Sequence, residues 1–126
     1  MLALDYGAAR TGVAVSDPTG TLARPLRIVE CAASDRGLEE LAELVRAEEA
    51  ERVVVGLPLT LRGERGSQAE ETERFAGRLE AILEVPVERF DERFTTRLAG
   101  SGGDEDARAA AHLLTSYLEW CSNRQP

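Results

Sequence analysis

The order in which hydrophobic periodicity changes along the chain constrains its fold more than any single residue does. Three short apolar runs come first. Residues 2–6 and 11–16 are joined by Gly7-Ala8-Ala9-Arg10, and Leu26-Arg27-Ile28-Val29 follows the turn signal Asp17-Pro18-Thr19-Gly20. Leu38, Leu41, Ala42 and Val45 then recur at helical spacing, and Ser34 stands where an N-cap belongs, which predicts a helix over about 35–49. Arg52-Val53-Val54-Val55-Gly56-Leu57 is β-branched and nearly continuous, the composition of a central parallel strand covered on both faces, and Pro58 ends it.

Ser67-Gln68-Ala69-Glu70 has the form of a capping box, with Thr72, Phe75, Ala76, Leu79 and Leu83 at helical spacing behind it. Val85-Pro86-Val87-Glu88-Arg89-Phe90 reads as an edge strand, since proline is tolerated only at the start or on an unpaired edge. After Gly100-Ser101-Gly102-Gly103, a stripe of Ala107, Ala110, Ala111, Leu114, Tyr117, Leu118 and Cys121 predicts a last helix, with room for a short turn near Thr95–Leu98. The order is βββαβαβα. A meander followed by right-handed crossovers gives an α/β fold with one mixed five-stranded sheet and helices on both faces.

At 126 residues, a single domain over 1–126 is expected. No apolar run approaches the roughly 18 residues needed to cross a bilayer, and the chain opens without a charged start, an apolar signal stretch or a cleavage site, so a cytoplasmic protein with no membrane role is expected. Cys31 and Cys121 lie far apart without a Cys/His cluster, which points away from a zinc site or disulfide framework and toward two small buried apolar residues.

The 15 basic residues are all Arg against 23 acids, for a formal charge of -8, a balance that argues against nucleic-acid binding when taken whole. Eleven of those acids, all Glu, fall in or just beyond the first two predicted helices, where they read as solvated faces. Arg10, Arg62, Arg65, Arg93 and Arg97 instead sit in or beside glycine-rich and loop segments, where guanidinium groups fork onto phosphates.

Asp5 ends an apolar strand and is followed by Gly7 and Gly12, a setting that lets backbone approach a phosphate and suits a hard divalent cation; the plainer alternative is a hairpin turn. Asp91-Glu92-Arg93 follows another strand, and adjacent acids there point in different directions, so at most one faces Asp5; alone, such a pair is usually a solvated turn. Asp106 opens the last helix, where it either completes a metal cluster or favours the positive end of the helix dipole, the simpler reading. Three carboxylates from separate elements suit two Mg²⁺ or Mn²⁺ ions and an in-line phosphoryl displacement. Arg62-Gly63-Glu64-Arg65-Gly66-Ser67-Gln68 occupies the crevice where open α/β sheets bind ligands, so that Arg62, Arg65 and the backbone of a helix start are placed to hold a phosphodiester; a polar loop is the bland alternative. His112, the one histidine, reads as a surface or packing residue.

Four segments in order, Leu4 to Asp17, Val55-Gly56-Leu57-Pro58-Leu59, Asp91-Glu92-Arg93-Phe94-Thr95-Thr96, and Asp106-Ala107 with Tyr117-Leu118-Glu119, resemble the YqgF/RuvX family over nearly the whole chain. These are the Holliday junction resolvase-like proteins also described as pre-16S rRNA nucleases, with an RNase H-like fold. The resemblance implies that Asp5, Asp91, Glu92 and Asp106 form a catalytic metal site and that the product is matured 16S rRNA. Implied partners are precursor rRNA, ribosome precursor particles or branched DNA, for a monomer or homodimer. The chain departs from the family pattern between Thr96 and Asp106, where no basic residue lies between Arg97 and Arg108. Cleavage of branched DNA, an actin- or Hsp70-type ATP-binding module, and a non-catalytic RNA-binding assembly factor are the competing readings.

Overall fold

The computed structural model describes residues 1–17, 22–58, 66–91 and 105–124, with side chains in the last segment at 109–119. Its elements run β1 (Leu2–Asp5), β2 (Arg10–Ser16), β3 (Ala23–Glu30), α1 (Asp35–Ala47), β4 (Val53–Leu57), α2 (Ser67–Ile82), β5 (Val87–Asp91) and α3 (Glu105–Arg124). This is the expected βββαβαβα order. The turn expected near Thr95–Leu98 lies outside the described residues.

The sheet order is β3-β2-β1-β4-β5. β1 and β2 pair antiparallel, as do β2 and β3, whereas β1–β4 and β4–β5 are parallel. The two prolines on or before the edge strands sit where the missing N–H does least harm. Pro25 lies on edge strand β3 beside a register shift between Val13 and Ala14, and Pro86 precedes edge strand β5, where its carbonyl accepts the Val53 N–H at 3.0 Å.

Strand alternation builds two cores. Leu2, Leu4, Val13, Val53 and Val55 face the layer of α1 and α2, which contributes Leu38, Leu41, Phe75 and Leu79. Ala3, Ala14, Val54 and Phe90 face α3, which contributes Ala110, Leu113, Leu114 and Tyr117. All five residues of β4 are buried, the burial that its unbroken β-branched run required.

Helix starts differ from one another. Ser34 caps α1 as expected: its Oγ accepts the Gly37 N–H at 3.0 Å and donates to the Cys31 carbonyl at 2.7 Å. Ser34→Ala is expected to cost about 1 kcal/mol in urea unfolding; a change within error would show that the cap contributes nothing. For α2 the capping-box expectation is corrected: Gly66 is the N-cap, without a side-chain cap bond, and Ser67 is already helical. The Gly66 carbonyl accepts from the Glu70 N–H, so the helix begins one residue earlier than a Ser67 cap allows. Cys31 is also corrected, because it is exposed. It takes a left-handed conformation, φ 48°, in the turn leaving β3, and the neighbouring Ala32 fills the core instead. The Cys121 side chain lies outside the described residues. No described helix is long and apolar enough to cross a membrane.

Candidate functional site

Asp5 is the last residue of β1 and is half-buried. Alternation sets it on the same face as Ala3, the face covered by α3. Its partner across β2 is Gly12, and on the other side Gly56 follows Val55, which pairs with Leu4. Neither of these two sheet neighbours carries a side chain.

The turn behind Asp5 is fixed by contacts within it. The Thr11 hydroxyl, fully buried, accepts from the Gly7 N–H and donates to the Gly7 carbonyl, both at 3.3 Å. A Cβ on Gly7 would come within 2.4 Å of the Arg10 carbonyl oxygen, so the turn must move for any larger residue. Gly7→Ala is therefore expected to lower activity about tenfold while the far side of the sheet stays folded, read from steady-state cleavage beside thermal unfolding. Wild-type activity would show that the turn does not set Asp5. Arg10, at the end of this turn, is exposed and stands opposite Glu30 in register.

Tyr6 stacks on Phe75 of α2, with ring centroids 4.4 Å apart. Burial, reinforced by Glu71, raises the Tyr6 hydroxyl above its ordinary pKa against the opposing pull of Arg74 and Arg78. It stays protonated at neutral pH and is no candidate for a base.

Asp91 closes β5 opposite Leu57, and Phe90 stands opposite Gly56. Asp5 and Asp91 thus lie at the same end of the sheet, two strands and about 10 Å apart. They do not share a face. Val87 packs on the α2 side and Arg89 reaches Glu73 and Glu80 of α2 at 3.0 and 3.3 Å, so alternation gives residue 91 to that side, while Glu88 and Phe90 turn to α3. Glu73 Oε2 is buried without a hydrogen-bond partner among the described residues.

The direction of α3 follows from Tyr117, which touches Arg52 and Glu88 at the amino ends of β4 and β5. The helix therefore begins at the carboxyl ends, the end of Asp5. Among the described residues no three His, Cys, Asp or Glu side chains gather as a metal site. Glu92, Arg62, Arg65, Arg93 and the Asp106 side chain lie outside those residues, although position 106 is within α3. His112 is half-buried on α3.

Sequence reasoning missed Thr11, the Tyr6–Phe75 stack and the Arg52–Glu88–Tyr117 cluster. Thr11 carried a weak signal as a polar residue heading an apolar strand, and the other two join residues far apart in sequence.

The family model described as RuvX, Holliday junction resolvase, matches residues 1–120. The chain belongs to the RuvX family. A protein of Chloroflexus aurantiacus named "Putative pre-16S rRNA nuclease" is 49% identical over 94% of this chain and 86% of its own length. One of the same name from Syntrophus aciditrophicus is 40% identical over 99% of this chain and 91% of that protein. Among solved structures, Thermus thermophilus RuvC in complex with a Holliday junction substrate superposes with a TM-score of 0.61 over 98% of this chain and 97% of that one, at 17% identity. The fold is therefore the RuvC-like, RNase H-like one. As a RuvX protein the chain is a nuclease, a hydrolase of phosphodiester bonds.

Proposed function

We propose that residues 1–126 act as one nuclease domain that matures the 5′ end of precursor 16S rRNA, using Asp5, one of Asp91 and Glu92, and Asp106. The observation that carries this reading is Asp5 at a strand's carboxyl end between Gly12 and Gly56, on the face that α3 covers. Hard carboxylate oxygens there suit Mg²⁺ or Mn²⁺, with two ions the arrangement that three such groups favour. When bound, the ions supply charge neutralisation and an activated water for an in-line displacement.

Two further features support the carboxylate set. Asp91 falls by alternation on the α2 side of β5, away from the face of Asp5, and for that reason we favour Glu92 over Asp91 as the partner of Asp5. Position 106 lies in the first turn of α3, four residues before the buried Ala110. Arg10, Arg62, Arg65 and Arg93, with the backbone N–H groups opening α2, are suited to grip phosphates on either side of the scissile bond. Such gripping is local, which reconciles an acidic chain with an anionic substrate. In this reading the protein works in the cytoplasm, as a monomer or homodimer, on ribosome precursor particles.

The test is cleavage of end-labelled precursor 16S rRNA, unrelated single-stranded RNA and a four-way DNA junction, each with Mg²⁺, Mn²⁺ or EDTA. Metal-dependent cutting at the mature 5′ end supports the proposal. Preferential junction cutting favours the resolvase activity that the family description names. Binding of RNA without cutting in any metal would make the chain an assembly factor.

A further inference from the structure

Three segments meet at the buried Tyr117, away from the carboxyl ends of the strands. Tyr117 of α3, 1% exposed, donates its hydroxyl hydrogen to Glu88 of β5 and accepts from Arg52 Nη1 at 2.7 Å. Arg52 Nη1 also lies 3.4 Å from Glu88 Oε2, and the Tyr117 ring stands edge-on to Phe90 at 5.4 Å. Phe90 is the residue before Asp91. The same phenol thus fixes α3 against the strand that ends in the acid pair and against the start of β4.

We propose that Tyr117 is a positioning residue for the carboxylate site, a role that rests on the nuclease reading above. From Tyr117 back to position 106 is eleven residues of helix, about 16 Å. From Arg52 to Leu57 along β4 is also about 16 Å, so the helix reaches from the anchor to the level of the carboxyl ends. Over that lever arm a tilt of about 5° at the anchor moves position 106 by about 1.4 Å. Misplacement by about 1 Å already costs a reacting geometry heavily. Apolar packing by Ala110, Leu113 and Leu114 resists separation of α3 from the sheet but restrains sliding and rotation weakly, since it is not directional. Among the described contacts, the phenol supplies a directional restraint, bonded at once to Glu88 of β5 and to Arg52 just before β4.

Tyr117→Phe keeps the ring and removes the hydroxyl, and Arg52 and Glu88 remain paired at the half-exposed rim. In the full chain, Mn²⁺ binding followed by electron paramagnetic resonance without substrate is expected to weaken about tenfold, the scale on which groups that orient ligands act. The KM for RNA should stay at the wild-type value, and the fall in kcat should be recovered at high Mn²⁺. Val45→Ala, in the core on the opposite face, serves as the control for lost stability, with Mn²⁺ affinity expected to be unchanged. Wild-type Mn²⁺ affinity in Tyr117→Phe, or an equal loss in Val45→Ala, would overturn the positioning role alone. A wild-type protein that binds no Mn²⁺ would overturn the metal-site reading and the positioning role with it.

Discussion

Asp5→Asn is expected to lower metal-dependent cleavage about a thousandfold, while the thermal midpoint stays close to that of the wild type. The substitution keeps the shape of the side chain and removes its charge. Asp5 ends β1 with strands paired on both sides of it, Gly12 of β2 opposite and Gly56 of β4 following the Leu4–Val55 pair, and neither glycine carries a side chain. An amide there still packs against the sheet but cannot balance a divalent cation. Because the group is only half-buried, losing its charge should disturb folding little. A variant with more than a tenth of wild-type kcat in Mg²⁺ would remove Asp5 from the chemistry.

The largest effect on stability is expected at Phe75. It is 2% exposed in the core beneath α2, and it stacks on Tyr6, the residue after Asp5. Phe75→Ala should cost about 3–5 kcal/mol in urea unfolding through lost burial and an unfilled cavity. The same change leaves the turn at Tyr6 without its backing, so activity per folded molecule should fall as well. A loss below about 1 kcal/mol would mean that Leu79 and Ala76 close over the gap.

Much of this architecture is readable from pattern. The run Val53-Val54-Val55 announces a strand covered on both sides, and it is buried throughout. The stripe of Leu38, Leu41, Ala42 and Val45 is the buried side of α1. Local chemistry decides less. Ser34 and Ser67 look equally fit to cap a helix, yet only Ser34 does, because the chain before α1 turns back at Cys31 and presents its carbonyl, while α2 begins from Gly66. Cys31 departs from its pattern for the same reason: an apolar residue beside a core alanine is exposed when the turn needs a left-handed conformation there.

For the site, Asp5 is legible as an acid ending an apolar strand before glycines. That Gly56 stands beside it depends on β4 entering the sheet next to β1, a fact of topology that no local window contains. The opposite facings of Asp5 and Asp91 need both the register of β5 and its partners in α2 and α3. The Arg52–Glu88–Tyr117 cluster joins residues 36 and 65 positions apart, where sequence offers no signal for a specific hydrogen bond.

The central claim is that Asp5 belongs to one metal centre with an acid from the end of β5 and with Asp106. Its most direct test is a crystal of the full chain soaked in Mn²⁺ and measured at a wavelength where manganese scatters anomalously. A peak about 2.1 Å from the Asp5 carboxylate, with Glu92 and Asp106 completing the shell, is the expected result. A peak bound elsewhere, with Asp5 taking no part in it, would contradict the account.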